Sequence, residues 1–495
     1  MSHPLSPVDV AIVAFYLVAT IILGAWFTRR QRNVRTYFVG DRNISWWLVL
    51  ISIVATETST VTFLSVPGLA YANGGNLTFL QLAFGYVIGR VLIAWLLLPQ
   101  YLRGEMLSAY QVLRERFDVK VQRTASGLFL LTRAAADGLR LYLAATLLFA
   151  FTHWDMRISI LVIGAACMIY TYLGGMHAVI WTDLIQFLIY ISGAVLAGVC
   201  LLQLLPGGLQ EYVQAGEADG KFRLFDFRFD PTVNFTLWTG LIGGSLFTMA
   251  SHGADQMMVQ RYLCSRSLGQ ARAALVLSGV VVLLQFLLFL LLGVGLYVLA
   301  QAGLLYSDHP LTNDQVFGQF IVTSLPHGLV GVVIASVLAA AMSTLASSLS
   351  SAASASVADF YQPLRPGRSD RHYLFVSRVL TAFWGLTRIA VALAAQHWLS
   401  TQSIVNEVLR VAGFTTGMIL GLFLLGRMAR PVGSAAALTG VVAGFLVVGA
   451  VWLPSLWSKA ALAWPWYAPI GTLTTVLIAA IVDKISRGAR RERGE

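Results

Sequence analysis

The chain has 495 residues, of which 57% are hydrophobic and 12% charged, with a mean hydropathy of +0.73, whereas a soluble protein carries about a quarter charged residues. The net charge of +11 invites a nucleic-acid partner, but the basic residues lie in short segments between apolar runs, where they set membrane topology instead. Three scattered cysteines (Cys167, Cys200 and Cys264) and eight histidines without ligand spacing exclude a disulfide framework and a zinc-type site.

Runs of about twenty apolar residues recur along the whole sequence, which predicts an all-α polytopic membrane protein. Thirteen spans are expected, at 9–28, 45–71, 77–99, 121–151, 158–173, 178–205, 234–259, 270–301, 326–358, 373–396, 403–426, 434–453 and 466–485. The first run, VDVAIVAFYLVATIILGAWFT, is too long for a signal-peptide core and has no cationic residue before it, so it reads as a mature span. With the amino end outside, RRQRNVR (29–35), RPGRSDR (365–371) and the tail RGARRERGE (487–495) face the cytoplasm, while external segments hold only Arg157, Lys221, Arg223, Arg228 and Lys459. The positive-inside rule then places the carboxyl end inside the cell membrane. The longest polar connection is 206–233, so no soluble domain is expected.

The second span contains ATETSTVTFLSVPG (55–68). A charged group near the bilayer centre costs at least ~2.5–3.5 kcal/mol, so Glu57 marks a pathway or site. Around it stand Thr56, Thr58, Ser59, Thr60 and Thr62. In the fourth span, LLTRAAADGLRLYLAATLLF (130–149), Arg133, Asp137 and Arg140 step by 4 and 3 onto one face. They read either as an ion-pair network between helices or as a pair, Arg140 with Asp137 or Glu57, that orients a polar substrate. The seventh span, FTLWTGLIGGSLFTMASHGADQ (235–256), is interrupted by paired glycines. Such a segment is either a broken transporter helix or a closely packed one. Spans 2–6 and 7–11 number five each, so the second set enters from the opposite side, an inverted repeat with two discontinuous helices as mates. The ninth span places Ser343, Ser347, Ser350 and Ser354 on one face, as cation ligands or as small-residue packing. In the eleventh, Asn406, Glu407 and Arg410 read mainly as a helix-pairing network.

Four stretches taken together, ATETSTVTFLSVPGLAY (55–71), YTYLGGMHAVIWTDLIQ (170–186), DQMMVQRYL (255–263) and MSTLASSLSSAASASVADFY (342–361), resemble the sodium/solute symporters. That family includes sodium-coupled carriers of sugars, proline, sialic acid and iodide with the bacterial leucine transporter fold. The resemblance covers essentially the whole chain. It implies an extra helix and basic loop (1–44), a first repeat (45–205), an extracellular loop (206–233), a second repeat (234–428) and two closing helices with a basic tail (429–495).

The resemblance also implies a site. Sodium, the coupling ion, would be held by the carbonyls of Ala55, Thr58 and Ala340 and the hydroxyls of Ser343 and Thr344. A second sodium would use Asp183, Ser343, Ser347 and Ser348, although Ala346 stands where two-sodium relatives usually offer a hydroxyl. Mapping the motifs places Glu57, Ser59, Thr60, Thr62, Gln81, Thr248 and Ser251 near the substrate cavity, with Asp137 and Arg140 as charged neighbours. The expected function is sodium-coupled import of a small polar solute, a sugar, amino sugar or acidic sugar, by alternating access. A proton-coupled symporter using Glu57 or Asp137 is one rival. A non-transporting solute sensor is another, set against a tail too short for a signalling domain. No HExxH, nucleophile elbow or phosphate loop suggests an enzyme. The partners expected are the solute and membrane lipids, with the chain working as a monomer.

Overall fold

The computed structural model describes residues 6–27, 33–104, 106–152, 154–306, 311–396, 404–428, 430–456 and 461–492, and the side chains of 404–412 lie outside the described ones. Every regular element among the described residues is helical. The main helices are α1 (Pro7–Phe27), α2 (Trp46–Glu57), α3 (Thr60–Tyr71), α4 (Leu80–Leu96), α5 (Val119–Thr152), α6 (Met156–Leu204), α7 (Gln256–Leu263), α8 (Leu268–Gln301), α9 (Leu329–Ala355), α10 (Asp370–Ala395), α11 (Ile404–Arg427), α12 (Ser434–Trp452) and α13 (Tyr467–Glu492). Among the described residues, eight helices, or nine with α2 and α3 counted as one bent span, are long and apolar enough to cross a membrane.

Two breaks shape the bundle. α2 stops at Glu57 because Thr58 (φ −76°, ψ 99°) and Ser59 (φ −100°, ψ 173°) are extended, and α3 leaves at 64° to it. Pro67 sits inside α3 without ending it. The seventh span runs as Thr239–Gly244, Ser245–Thr248 and Met249–Gly253 before α7. It breaks not at the paired glycines but eleven residues after the second of them, where Asp255 is extended (φ −95°, ψ 125°). Gly243 and Gly244 serve packing instead, since a Cβ on Gly244 would stand 2.8 Å from the Leu82 carbonyl oxygen.

α6 is too long for one crossing. Its 49 residues would rise ~74 Å against a hydrocarbon core of about 30 Å. Gly175, at φ 56° and ψ −160°, kinks it into two helices, at the place where the hydropathy pattern expects two spans to meet. α9 lies at the centre, with every residue of 333–355 buried. Its hydroxyls therefore meet protein rather than lipid, and each needs a partner. Asp9 of α1 accepts from the Gly328 and Gly331 amides (2.8 and 2.7 Å), which docks the extra helix on the start of α9.

Candidate functional site

The end of α2 leaves carbonyls without helical partners. The Val54 carbonyl takes the Thr58 amide and hydroxyl (3.0 and 2.8 Å). Tyr190 and Gln285 hold the same hydroxyl from the other side, at 3.2 and 2.5 Å. The Thr58 side chain is thereby turned away, and its backbone carbonyl faces α9. There the Thr344 hydroxyl donates to the Thr56 carbonyl (2.8 Å) and stands 3.5 Å from the Thr58 carbonyl and 3.4 Å from that of Ala340. Residues 55–58 and 340–344 thus meet deep in the bundle. Ala55 and Ser343 are fully buried, and the Ser343 hydroxyl donates to Asp183 (2.5 Å).

A second group of oxygens surrounds a guanidinium. Arg261 of α7 donates to Asp183 (3.2 Å), the Ser52 hydroxyl (2.9 Å) and the Met257 carbonyl (2.7 Å), and makes short contacts to the Thr56 and Ser347 hydroxyls. The place expected for a second sodium, between Asp183 and Ser347, holds this fixed cation. Asp183 is paired already. Arg261 lies in DQMMVQRYL, and the signal that could have found it is a lone arginine among apolar residues.

Glu57 lies between the two breaks and pairs with Arg90 of α4 in a short contact, with His252 Nε2 3.3 Å away. Arg90 also donates to Ser278 (2.8 Å), and Ser251 bonds the other His252 nitrogen (3.0 Å). Sequence reasoning missed both partners. Arg90 had the same signal, a single cation in the apolar run FGYVIGRVLIAW. The expected Arg140–Asp137 pair forms at 2.6 Å, while Arg133 instead pairs with Asp255 at the second break (2.5 Å). Beside that pair a small cleft is lined by Phe129, Thr132, Asp255, Thr415 and Ile419.

Ser59, Thr60, Thr62 and Thr248 are buried near the breaks, and the Thr60 hydroxyl has no hydrogen-bond partner among the described residues. Gln81 lies elsewhere. Its amide holds the Thr78 and Phe235 carbonyls (3.2 and 3.1 Å) and accepts from the Asp226 amide (3.1 Å), which fastens the 206–233 loop to the start of α4. The structure does not bring it to Glu57. Asp226 is itself held by Arg228 (2.6 Å), whose hydrogen bonds keep its carboxyl below the ordinary 3.8. The side chains of Asn406, Glu407 and Arg410 lie outside the described residues.

Comparison with known proteins agrees with this architecture. A family model described as "Sodium:solute symporter family" matches residues 37–444. The chain is 28% identical over 473 residues to a sodium/sialic acid symporter, NanT, of Aliivibrio fischeri, covering 94% of this chain and 90% of the relative. It is 29% identical over 452 residues to the human sodium/iodide cotransporter (88% and 68% covered). The solved outward-open, substrate-bound structure of a Na+-coupled sialic acid symporter superposes with a TM-score of 0.87 at 28% identity, covering 97% of this chain and 98% of that one. The chain therefore belongs to the sodium:solute symporter family, and it is a multi-pass membrane transporter that couples sodium to the movement of a small polar solute, not an enzyme.

Proposed function

We propose that this symporter imports an acidic sugar or amino sugar together with one sodium ion. The observation that carries the ion's place is the Thr344 hydroxyl beside the Thr56, Thr58 and Ala340 carbonyls. Neutral oxygens from a broken helix and its neighbour suit a hard monovalent cation. The Ala55, Thr58 and Ala340 carbonyls with the Ser343 and Thr344 hydroxyls would form the cage. Asp183 and Ser347 would serve Arg261 rather than a second ion.

The solute would sit against Glu57, Ser59, Thr60, Thr62, Thr248 and Ser251, between the two breaks, with Asp137 and Arg140 nearby. An acidic cargo is supported by the buried arginines around this region and by relatives named for sialic acid and iodide, both anionic. Proton coupling through Glu57 or Asp137 is disfavoured, because each is paired with arginine and protonation would strand a buried cation.

In the working cycle, sodium entering from outside would tie the α2–α3 junction to α9 and favour the solute-ready state. Solute binding would close the outer side, and inward opening would release both. The repeats would span 45–205 and 234–428, with the amino end outside, the carboxyl end cytoplasmic and the monomer as the working unit. The test is uptake of labelled sugar acids into proteoliposomes at fixed pH. Uptake should require a sodium gradient, and Thr344→Ala should raise the sodium needed for half-maximal rate at least tenfold. Uptake driven by a proton gradient without sodium would overturn the reading.

A further inference from the structure

We propose that Arg140 and Arg388, set around Asp137, form a site for one small anionic group, either free chloride or the carboxylate of a solute. Three helices build it. Asp137 and Arg140 come from α5, Arg388 from α10 and Ser348 from α9, and all four lie well inside their helices. One Asp137 oxygen accepts from Arg140 (2.6 Å), and the other accepts from the Ser348 hydroxyl in a short contact. Arg388 donates Nη2 to Ser348 (2.9 Å), while its Nε stands 3.6 Å from Asp137, beyond a hydrogen bond.

The charges do not cancel. One carboxylate faces two guanidinium groups, which leaves one positive charge. Among the described side chains none supplies the balance. Arg133, one turn from Asp137, is matched by its own carboxylate, Asp255. The first half of α6 brings Cys167, a buried thiol, toward Arg388. The donors do not close either. Among the described residues Arg388, 2% exposed, has no hydrogen-bond partner for Nε or Nη1, and Arg140 has none for its Nε. A buried guanidinium with open donors and surplus charge is among the costliest groups to place at membrane depth. A small anion supplies both the missing charge and the missing acceptors, and guanidinium forks suit a carboxylate geometrically. Arg140 is partly exposed, at 16%, which gives the site an open edge.

Position adds a consequence. Ser348 follows Thr344 by four residues on α9, so the two side chains stand on one helix face about 5–6 Å apart. A cation at Thr344 and an anion beside Ser348 attract, so each raises the affinity of the other by the same factor. The carboxylate form of the proposal rests on the acidic-solute reading above, whereas the chloride form is independent of it.

The experiment follows the thermal unfolding midpoint of the full chain in detergent, at constant sodium with MES as counter-ion. Chloride, acetate, N-acetylneuraminate and a neutral sugar are titrated in turn. A saturable rise with chloride or acetate assigns the site to free anions, and a rise with the sugar acid alone assigns it to a solute carboxylate. Both support the proposal. Arg388→Gln should weaken the response at least tenfold, Arg388→Lys should restore part of it, and Asp137→Asn, which removes the competing carboxylate, should tighten it several-fold. If Arg388→Gln does not fold, the tightening in Asp137→Asn decides. No saturable response to any anion, or variants that respond like the parent, would overturn the proposal. Stabilisation by sodium alone, measured in the same preparation, tests the cage separately.

Discussion

Glu57 is the residue whose chemistry most limits its neighbours. Its carboxylate is only 12% exposed and pairs with an arginine that is itself fully buried, so removing either partner strands a charge. Loss of one member of such a pair costs about 3–5 kcal/mol, whereas an uncharged replacement of both is often neutral. Arg90→Ala should therefore lower the unfolding midpoint strongly, and Arg90→Met with Glu57→Gln should recover most of it. Glu57→Gln alone should keep the stabilisation that sodium gives while weakening solute binding. Loss of the sodium response in that variant would place Glu57 in the cage instead. The sequence announced Glu57 through its cost in lipid but not its partners, because Arg90 and His252 reach it from other helices. Gln81 shows the reverse failure. A polar residue at the start of a span looked like a cavity group, yet its amide is consumed by the backbone of a loop far away in sequence.

At the scale of elements, α7 shows how a short segment is fixed without a long hydrophobic face. Its motif DQMMVQR spends four polar side chains on four different neighbours. Asp255 meets Arg133, Gln256 bonds the Leu107 carbonyl (2.8 Å) and the Ala109 amide (2.7 Å), Gln260 bonds the Phe38 carbonyl (2.9 Å), and Arg261 meets Asp183. Gln256→Ala leaves the Ala109 amide unsatisfied, while the Leu107 carbonyl keeps the Ser354 hydroxyl (2.9 Å), at about 1–3 kcal/mol for a buried group. Amide exchange in 106–111 and 256–263 should then speed up together, with α8 unchanged; an increase confined to one of the two segments would contradict this docking. The 206–233 loop offers a pH test. Asp226 has its carboxyl held below 3.8 by Arg228, so its contribution is complete above 3.8 and is lost as pH falls through the lower folded value. Cleavage of this loop by an acid-tolerant protease should stay flat from neutral pH to near 4 and rise below it. Asp226→Asn should show the raised cleavage already at neutral pH. Neither role was legible in sequence, since a family signature says that residues belong together, not what each one holds. The paired glycines misled for a related reason, as the same residue type permits a break and a close approach.

For the whole molecule, the order of spans was readable because lipid leaves a chain so few options. Backbone groups must be satisfied within helices, so apolar runs of the right length report the architecture directly. The two breaks were readable as regions because polar residues there contradict the lipid around them, although the second one's position was not. What hydropathy does not carry is which buried charges cancel, and that decides how much work one cycle can do. Arg261 fills the place between Asp183 and Ser347, so a single sodium should accompany each solute. One charge crossing 100 mV releases ~2.3 kcal/mol, and a tenfold sodium gradient adds about 1.4 kcal/mol. Tight coupling to one ion then supports roughly 500-fold accumulation of a neutral solute. An acidic solute carries its own negative charge inward with the ion, which cancels the electrical part and leaves about tenfold. Dual-label flux of sodium and solute in proteoliposomes should accordingly give a ratio of one, with a sodium Hill coefficient near one. Uptake of a sugar acid should be insensitive to membrane potential while still following the sodium gradient. A ratio of two, or uptake of the acid that climbs with an inside-negative potential, would mean that a second cation enters despite Arg261.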